Sequence, residues 1–249
     1  ELSILKNEVY KTTIMLKEVA ENARNQELSL KNSLEDISHQ LKTPLTSIMI
    51  MLDNMIDHPE MDEQTREEFI KDCKKEITNI HFLVQVLLKL SKFDANTIQF
   101  HYEDVTIKEL IEEAVNKVSV LCDLKNIQIH IEGDMEDIIS CDYRWQVEAI
   151  TNLLKNAVEY SNKEGKIDVI CNQNKLYTQI EIKDYGKGID SAELPHIFER
   201  FYKGSNSSKD SVGIGLALAK TIIEKNSGSI FVESELGKGT IFIIRYFKF

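Results

Sequence analysis

The chain is poor in residues that break or crosslink a backbone: three prolines and ten glycines in 249 residues, and only four cysteines. So few prolines leave room for long uninterrupted helices. The cysteines, Cys73, Cys122, Cys141 and Cys171, are scattered without paired spacing. That pattern makes neither a disulfide frame nor a zinc site, and it reads as reduced thiols. No run of about 18 apolar residues occurs, so nothing in this stretch is expected to cross a membrane, and no signal peptide opens it. Positive charge is short as well: 30 Lys and Arg stand against 41 Asp and Glu, a net charge of -11. That argues against a nucleic-acid partner, because phosphate backbones are bound by clustered Lys and Arg. What remains, 42% hydrophobic and 29% charged, is ordinary soluble protein with enough length for one large or two ordinary domains.

From residue 1 to about 95 the pattern is helical. Leu2, Leu5, Val9, Leu16 and Val19 recur at three- and four-residue steps with no N-cap residue ahead of them. This predicts a coiled-coil helix continuing from an upstream segment. A clear break comes at His58-Pro-Glu-Met-Asp-Glu63. Before it, Leu34, Ile37, Leu41, Leu45, Ile48, Leu52 and Met55 form one stripe; after it, Phe69, Cys73, Ile77, Ile80, Val84 and Leu87 form another. Two helices joined by a short turn make a hairpin, but two narrow stripes cannot close a core alone. A homodimeric four-helix bundle is the simplest solution. A phase shift, or stutter, is predicted near Leu30 to Leu34, where two four-residue steps follow each other and the coiled coil enters the hairpin.

His39 lies off the stripe. At about 100° per residue it is rotated about 200° from both Ile37 and Leu41, and its neighbours one turn away, Glu35, Asp36, Lys42 and Thr43, are polar. Pro44 withholds the amide that would bond the Gln40 carbonyl, so the helix is expected to bend or loosen there. Taken alone, His39 reads as a solvated surface histidine; exposed to a second domain, it is a candidate nucleophile.

From about Thr97 strands and helices mix. Thr106-Ile-Lys-Glu109 is a capping box opening a helix to about Asp123. Strands are expected at 127–131 and 138–141, a long helix at 143–160, two adjacent strands at 166–172 and 176–184, a helix at 215–226 and a final hairpin of 229–235 and 240–247. Helices segregated against a largely antiparallel sheet make an α+β two-layer sandwich. The architecture changes near residue 96.

The chemistry sits in that second half. Asp184-Tyr-Gly-Lys-Gly-Ile189 ends a strand, and Gly213-Ile-Gly-Leu216 opens a helix after the polar stretch Lys203 to Ser211. Glycines ahead of a helix N-terminus let amides approach phosphate oxygens, and the helix dipole favours the negative charge. Ordinary turns also use Gly and Asp. Asn152 and Asn156 stand four apart on one helix face, in a position where asparagine is a mediocre helix former.

Together these segments resemble the catalytic core of a sensor histidine kinase of two-component signalling. Its ATP-binding domain is of the gyrase, Hsp90, histidine kinase and mismatch-repair ATPase type. The resemblance runs from about residue 28 to 249. Its blocks stand in family order: Ser38-His-Gln-Leu-Lys-Thr-Pro-Leu45, Asn152 to Ser161, Asp184 to Ile189, Ile197-Phe-Glu-Arg-Phe-Tyr202, Gly213 to Leu216 and Glu235-Leu-Gly-Lys-Gly-Thr240. It implies three regions: a coiled-coil signalling helix at 1–28, a dimerisation and histidine phosphotransfer domain at 29–96, and an ATP-binding domain at 97–249. The implied fold is an α-helical hairpin, dimeric with a coiled-coil extension, followed by the α+β sandwich. ATP and Mg2+ are the implied cofactors and a response regulator the implied partner. The implied setting is the cytoplasmic part of a receptor in the bacterial cell membrane, reached only through upstream segments.

The resemblance also assigns roles. Asn156 would ligate Mg2+, Asp184 would accept from the adenine amino group and Tyr160 would pack on the base. Gly186, Gly188, Gly213 and Gly215 would admit close backbone approach. Ile189, Leu216 and Thr240 belong to the same blocks, and Arg200 and Lys203 would neutralise phosphate beneath a lid of residues 203–212. Where ATP-hydrolysing relatives carry a water-activating glutamate, this chain has Asn152, which cannot act as a base; transfer to His39 is favoured over hydrolysis. Gln40 follows the histidine where many relatives have an acid. Its neutral acceptor gives the imidazole weaker help, a difference on the order of tenfold in rate. Thr43 stands where relatives position a water that removes phosphate from the regulator, so a phosphatase activity is expected as well. Glu159, Lys203 and Ser211-Val212 depart from the commoner residues at their places, and a lysine lacks the bidentate fork of arginine. Two other readings fit parts of the pattern: a dimeric adaptor with a degenerate nucleotide domain, suggested by Gln40 and Lys203, and an ATPase-driven clamp, disfavoured by Asn152.

Overall fold

The computed structural model describes residues 2–94, 98–205 and 213–248. The side chains of 25–34, and with them the stutter at Leu30 to Leu34, lie outside the described ones, as do those of Leu2, Leu5 and Val9. The chain divides into two units, residues 1–82 and 83–249. Among the described residues no helix is long and apolar enough to cross a membrane.

The first unit is the helical hairpin. Helix α1 (Leu2–Asp57) runs without interruption through Pro44, and α2 (Glu63–Asp94) returns. Asp62 caps α2, its carboxylate accepting the Thr65 amide at 2.9 Å and hydroxyl at 2.7 Å. Arg66 closes the turn by donating to the Pro59 carbonyl at 2.9 Å. The expected stripes are only partly covered. Ile48 and Cys73 are buried, but Leu45 is 54%, Leu52 45% and Ile77 57% exposed. An antiparallel pair of helices shields one seam, so the outer flank of each stripe faces solvent.

The end of α2, from Leu83 onward, belongs to the second unit. There the buried positions are Leu83, Val86, Leu90 and Phe93, while Val84 is exposed. The stripe expected through Val84 and Leu87 is thus rotated, because this stretch packs on a different neighbour. Phe93 meets Trp145 edge-on with ring centroids 4.8 Å apart. Lys89 pairs with Glu148 at 2.7 Å.

Strand β1 (Glu103–Thr106) leads into α3 (Ile107–Lys125), then β2 (Gln128–Gly133), β3 (Ile138–Cys141) and α4 (Tyr143–Tyr160). The remaining elements are β4 (Lys166–Gln173), β5 (Tyr177–Asp184), α5 (Gly215–Lys225), β6 (Gly228–Glu235) and β7 (Gly239–Phe247). The capping box forms as read: the Glu109 amide donates to Thr106 Oγ1 at 3.2 Å and the Thr106 amide to Glu109 Oε2 at 3.0 Å. Asn126 ends α3 in the left-handed region, a conformation asparagine tolerates. Asp142 caps α4 by accepting the Trp145 amide.

The main sheet has the order β2-β4-β5-β7-β6. Every pairing in it is antiparallel except β2 with β4, so the sheet is mixed. β1, absent from the sequence reading, pairs with β3 as a separate ribbon. Alternate residues of the central strands, among them Ile167, Val169, Ile180, Ile182, Phe242 and Ile244, are buried. One face of the sheet is therefore packed, and the helices contribute Ile111, Ala114, Ile150, Leu154, Leu218 and Ile222 to that core.

Phe93 fastens α2 to this core. Phe93→Ala is expected to destabilise the second unit by about 3–5 kcal/mol, the usual cost of deleting a buried phenyl ring. Urea denaturation followed by Trp145 fluorescence measures it, and a loss below about 1 kcal/mol would show that the contact contributes little.

Candidate functional site

β5 delivers Asp184 to the end of the sheet with the side chain buried, 2% exposed. Asp184 Oδ1 accepts the Gly186 amide at 2.9 Å. Burial is the largest influence on this carboxyl and raises its pKa, opposed by hydrogen bonds from the Gly186 and Thr240 amides. A sequestered carboxyl with a second oxygen is suited to recognising a neutral donor such as an amino group.

The turn after Asp184 is wedged between two other backbones. A Cβ at Gly186 would run into the Tyr160 carbonyl, and one at Gly188, where φ is +67°, into the Glu235 carbonyl. Only glycine combines that φ with that approach. Hydrogen bonds lock the arrangement: Lys187 donates its amide to the Tyr160 carbonyl at 3.3 Å, and Gly237 donates to the Lys187 carbonyl at 2.7 Å. Ile189 donates its amide to Ser234 Oγ at 2.8 Å. Ser234 in turn donates to the Gly239 carbonyl at 2.8 Å and lies 3.0 Å from the hydroxyl of the buried Thr240. Ser234 was not among the residues read from the sequence. It sits in an ordinary alternating strand, and nothing local marks its hydroxyl as a bridge.

α4 supplies the neighbouring wall. Asn152, Asn156 and Tyr160 are each half-buried along it. Asn152 donates from Nδ2 to the Glu148 carbonyl at 2.9 Å, and its Oδ1 would stand 3.3 Å from a Cβ on Gly215. The α4 asparagine and the start of α5 are therefore close neighbours. Burial first, then the Glu159 and Glu193 carboxylates, push the Tyr160 phenol up to about 12, so at neutral pH it is an uncharged surface.

α5 begins at Gly215 with no side-chain cap on its first turn and no acidic residue there. Its first amides lack intrahelical partners. Amides so placed are suited to an anion, which the helix dipole favours. Leu216 is half-buried on the same turn. The Phe201 amide bonds the Gly213 carbonyl at 2.8 Å, bringing together the two ends of the polar segment. Of that segment, residues 206–212 lie outside the described residues. Arg200 is half-buried and Lys203 exposed. Glu193 Oε1 accepts the Ser205 amide at 2.8 Å.

In the first unit His39 is exposed on α1, beside a half-buried Gln40 and an exposed Thr43. Thr43 Oγ1 donates to the His39 carbonyl at 3.2 Å, one turn back along the helix. The Thr43 hydroxyl oxygen keeps lone pairs for a further donor.

An exposed histidine on a helical hairpin, and a sandwich in which an uncapped glycine-led helix starts beside Asn152, are the features a phosphoacceptor domain joined to an ATPase domain would present. Comparison with known proteins agrees. Residues 29–96 match the His Kinase A (phospho-acceptor) domain. Residues 141–249 match the histidine kinase-, DNA gyrase B-, and HSP90-like ATPase family. The heme sensor protein HssS of Staphylococcus saprophyticus is 34% identical over 216 residues, 86% of this chain and 46% of that protein. The sensor protein SrrB of Staphylococcus aureus is 30% identical over 227 residues, 90% of this chain and 39% of that one. The chain thus spans less than half the length of these relatives. The solved histidine kinase ThkA, in complex with the response regulator protein TrrA, shares the fold with a TM-score of 0.74 at 23% identity, over 91% of this chain and 64% of that one. The chain belongs to the sensor histidine kinases, and its ATPase domain is an ATP-binding one.

The Asp184 carboxyl titrates higher in the folded state than in the unfolded one. The folded state therefore holds that proton more tightly, and stability is lost as pH rises through the carboxylate range. Asp184→Asn removes this penalty. The variant is expected to melt above the wild type at neutral pH, with the advantage vanishing below the ordinary carboxylate pKa, and to bind ADP more weakly. Thermal melts across pH test it; a variant less stable than wild type at pH 7 contradicts it.

Proposed function

We propose that this chain is the kinase core of its receptor: it transfers the γ-phosphoryl group of ATP to His39, and an aspartate of a response regulator then takes that group. The observation that carries the reading is the exposure of His39 on α1 in a chain whose other unit holds the ATPase site. A histidine meant only for packing would not be presented to solvent. The proposed regions are a signalling helix at 1–28, a dimerisation and phosphotransfer domain at 29–96 and an ATP-binding domain at 97–249.

The residues present suit the nucleotide. Asp184 accepts from the adenine amino group, Tyr160 gives the base an uncharged flank, and Thr240 borders the same pocket. Gly186 and Gly188, with Ile189 beside them, hold the turn under the base. The amides at Gly213, Gly215 and Leu216 receive phosphate oxygens, while Arg200 and Lys203 supply positive charge to them. Mg2+ would neutralise phosphate charge and orient the transferred group. Asn156 offers it one amide oxygen, with phosphate oxygens and water completing the shell.

Asn152 directs the outcome. Its amide nitrogen is engaged with the Glu148 carbonyl, and an amide takes no proton from water at neutral pH. Water is thus not activated at that place, and His39 Nε2 is the competent nucleophile. Gln40 supports the ring with a neutral side chain.

The homodimer has its own support. Leu45, Met49, Leu52 and Ile56 on α1 are 54%, 56%, 45% and 73% exposed at three- and four-residue spacing. Such a row, repeated on a second copy, closes a four-helix core.

Incubation with [γ-32P]ATP and Mg2+ tests the reading. Acid-labile, alkali-stable label is expected on the wild type and none on His39→Ala. A wild type without label supports the adaptor reading, and ATP hydrolysis persisting in His39→Ala supports the clamp. A separate expectation concerns Thr43, whose hydroxyl can orient water toward a phosphorylated partner. Thr43→Ala should retain autophosphorylation and lose at least about tenfold in dephosphorylation of the regulator. Unchanged regulator dephosphorylation removes Thr43 from that role.

A further inference from the structure

The C-terminal end of α4 is held by a side chain from another helix. Lys125, the last residue of α3, places its ammonium against three main-chain carbonyls, those of Val158 at 2.9 Å, Glu159 at 2.6 Å and Ser161 at 3.3 Å. An ammonium has three protons and all three are used. The carbonyl of Lys125 accepts the Glu164 amide at 2.8 Å, so one residue grips the α4–β4 connection from both its side chain and its backbone.

A helix leaves its last four carbonyls without intrahelical partners. In α4 each is accounted for. Ala157 accepts the Ser161 amide at 3.0 Å, Tyr160 accepts the Lys187 amide at 3.3 Å, and Val158 and Glu159 are taken by Lys125. α4 has no basic residue in its own last turn. The cation that suits the negative end of its dipole comes from α3 instead.

The position of this end matters because the Asp184–Gly188 turn rests directly on it. The Tyr160 carbonyl receives Lys187 and leaves no room for a side chain at Gly186. If the last turn of α4 unwinds, the Tyr160 ring and the turn carrying Asp184 lose their common support.

We propose that Lys125 is a positioning residue for the base-binding wall, acting as a tertiary C-cap that holds Tyr160 and the Asp184 turn in register. Its ammonium is committed to three main-chain carbonyls. The inference rests on the nucleotide reading above, and its test separates the two. ADP binding is measured by calorimetry on the 249-residue chain, alongside hydrogen exchange of the amides at 158–161 and 185–188. Lys125→Met is expected to weaken ADP binding about tenfold, as loss of charge-assisted bonds at a site's support does, and to speed exchange in both segments. Lys125→Arg, which keeps the charge and several donors, is expected to stay within about threefold of wild type.

A Lys125→Met protein that melts lower yet binds ADP as wild type does would make Lys125 purely structural and overturn the proposal. So would unchanged exchange at 185–188. Should the Met variant not fold, Lys125→Gln carries the same comparison. If the wild type itself fails to bind ADP, the nucleotide reading falls, and the exchange rates at 185–188 still decide whether Lys125 holds that turn.

Discussion

The ATPase site depends on a close approach of three backbones. The turn after Asp184 passes between the carbonyl of Tyr160 and the carbonyl of Glu235, in space that holds no side-chain carbon. Gly239 is held to the same condition, since a Cβ there would meet the Asp184 carbonyl. At the glycines side chains are excluded, and hydrogen bonds secure the turn: Gly186 to the Asp184 carboxylate, Lys187 to Tyr160, Gly237 to Lys187 and Ile189 to Ser234. Such bonds are each modest in net worth, but broken ones leave buried polar groups unsatisfied, and that is costly. The turn is therefore stiff, and it presents Asp184 in one geometry.

The two units obey different stability rules. The second has a closed core in which α3, α4 and α5 bury one side of each helix, and its polar exceptions are bonded for the most part. On the proposed nucleotide reading, function and stability oppose each other at Asp184, because burial of its charge costs free energy. The hairpin of the first unit leaves large apolar side chains such as Leu45, Leu52 and Ile77 in solvent. An apolar row of that size is an unfinished core. A second copy would complete it under the dimer proposed above, and His39 lies about a third of a turn round α1 from that row.

Much of this was legible in the chain, and for local reasons. Thr106 and Glu109 cap α3 because the box needs only residues three apart. The strand and helix ranges from 127 onward follow from periods of two and of three to four, and Gly213 and Gly215 mark a helix start by their lack of side chains. What escaped was set by partners distant in sequence. β1 pairs with β3 over more than thirty residues, and the parallel register of β2 against β4 is invisible in either strand. The face buried by the end of α2 is chosen by Trp145 and its surroundings, so Leu83, Val86, Leu90 and Phe93 displaced the stripe extrapolated from the hairpin.

The sequence by itself determined the class of the protein, the order of its elements and the chemical groups on offer. A histidine off its stripe, two asparagines in step, a buried-type aspartate and glycines before a helix are chemical identities, and identity is a property of the chain alone. Tertiary structure decided how those groups are held. Ser234 bridges Ile189 to Gly239 and Thr240, and Lys125 caps a helix it does not belong to. Hydrogen bonds are short-range and directional. Whether a serine in a strand or a lysine at a helix end makes them depends on which carbonyls the fold brings within about 3 Å.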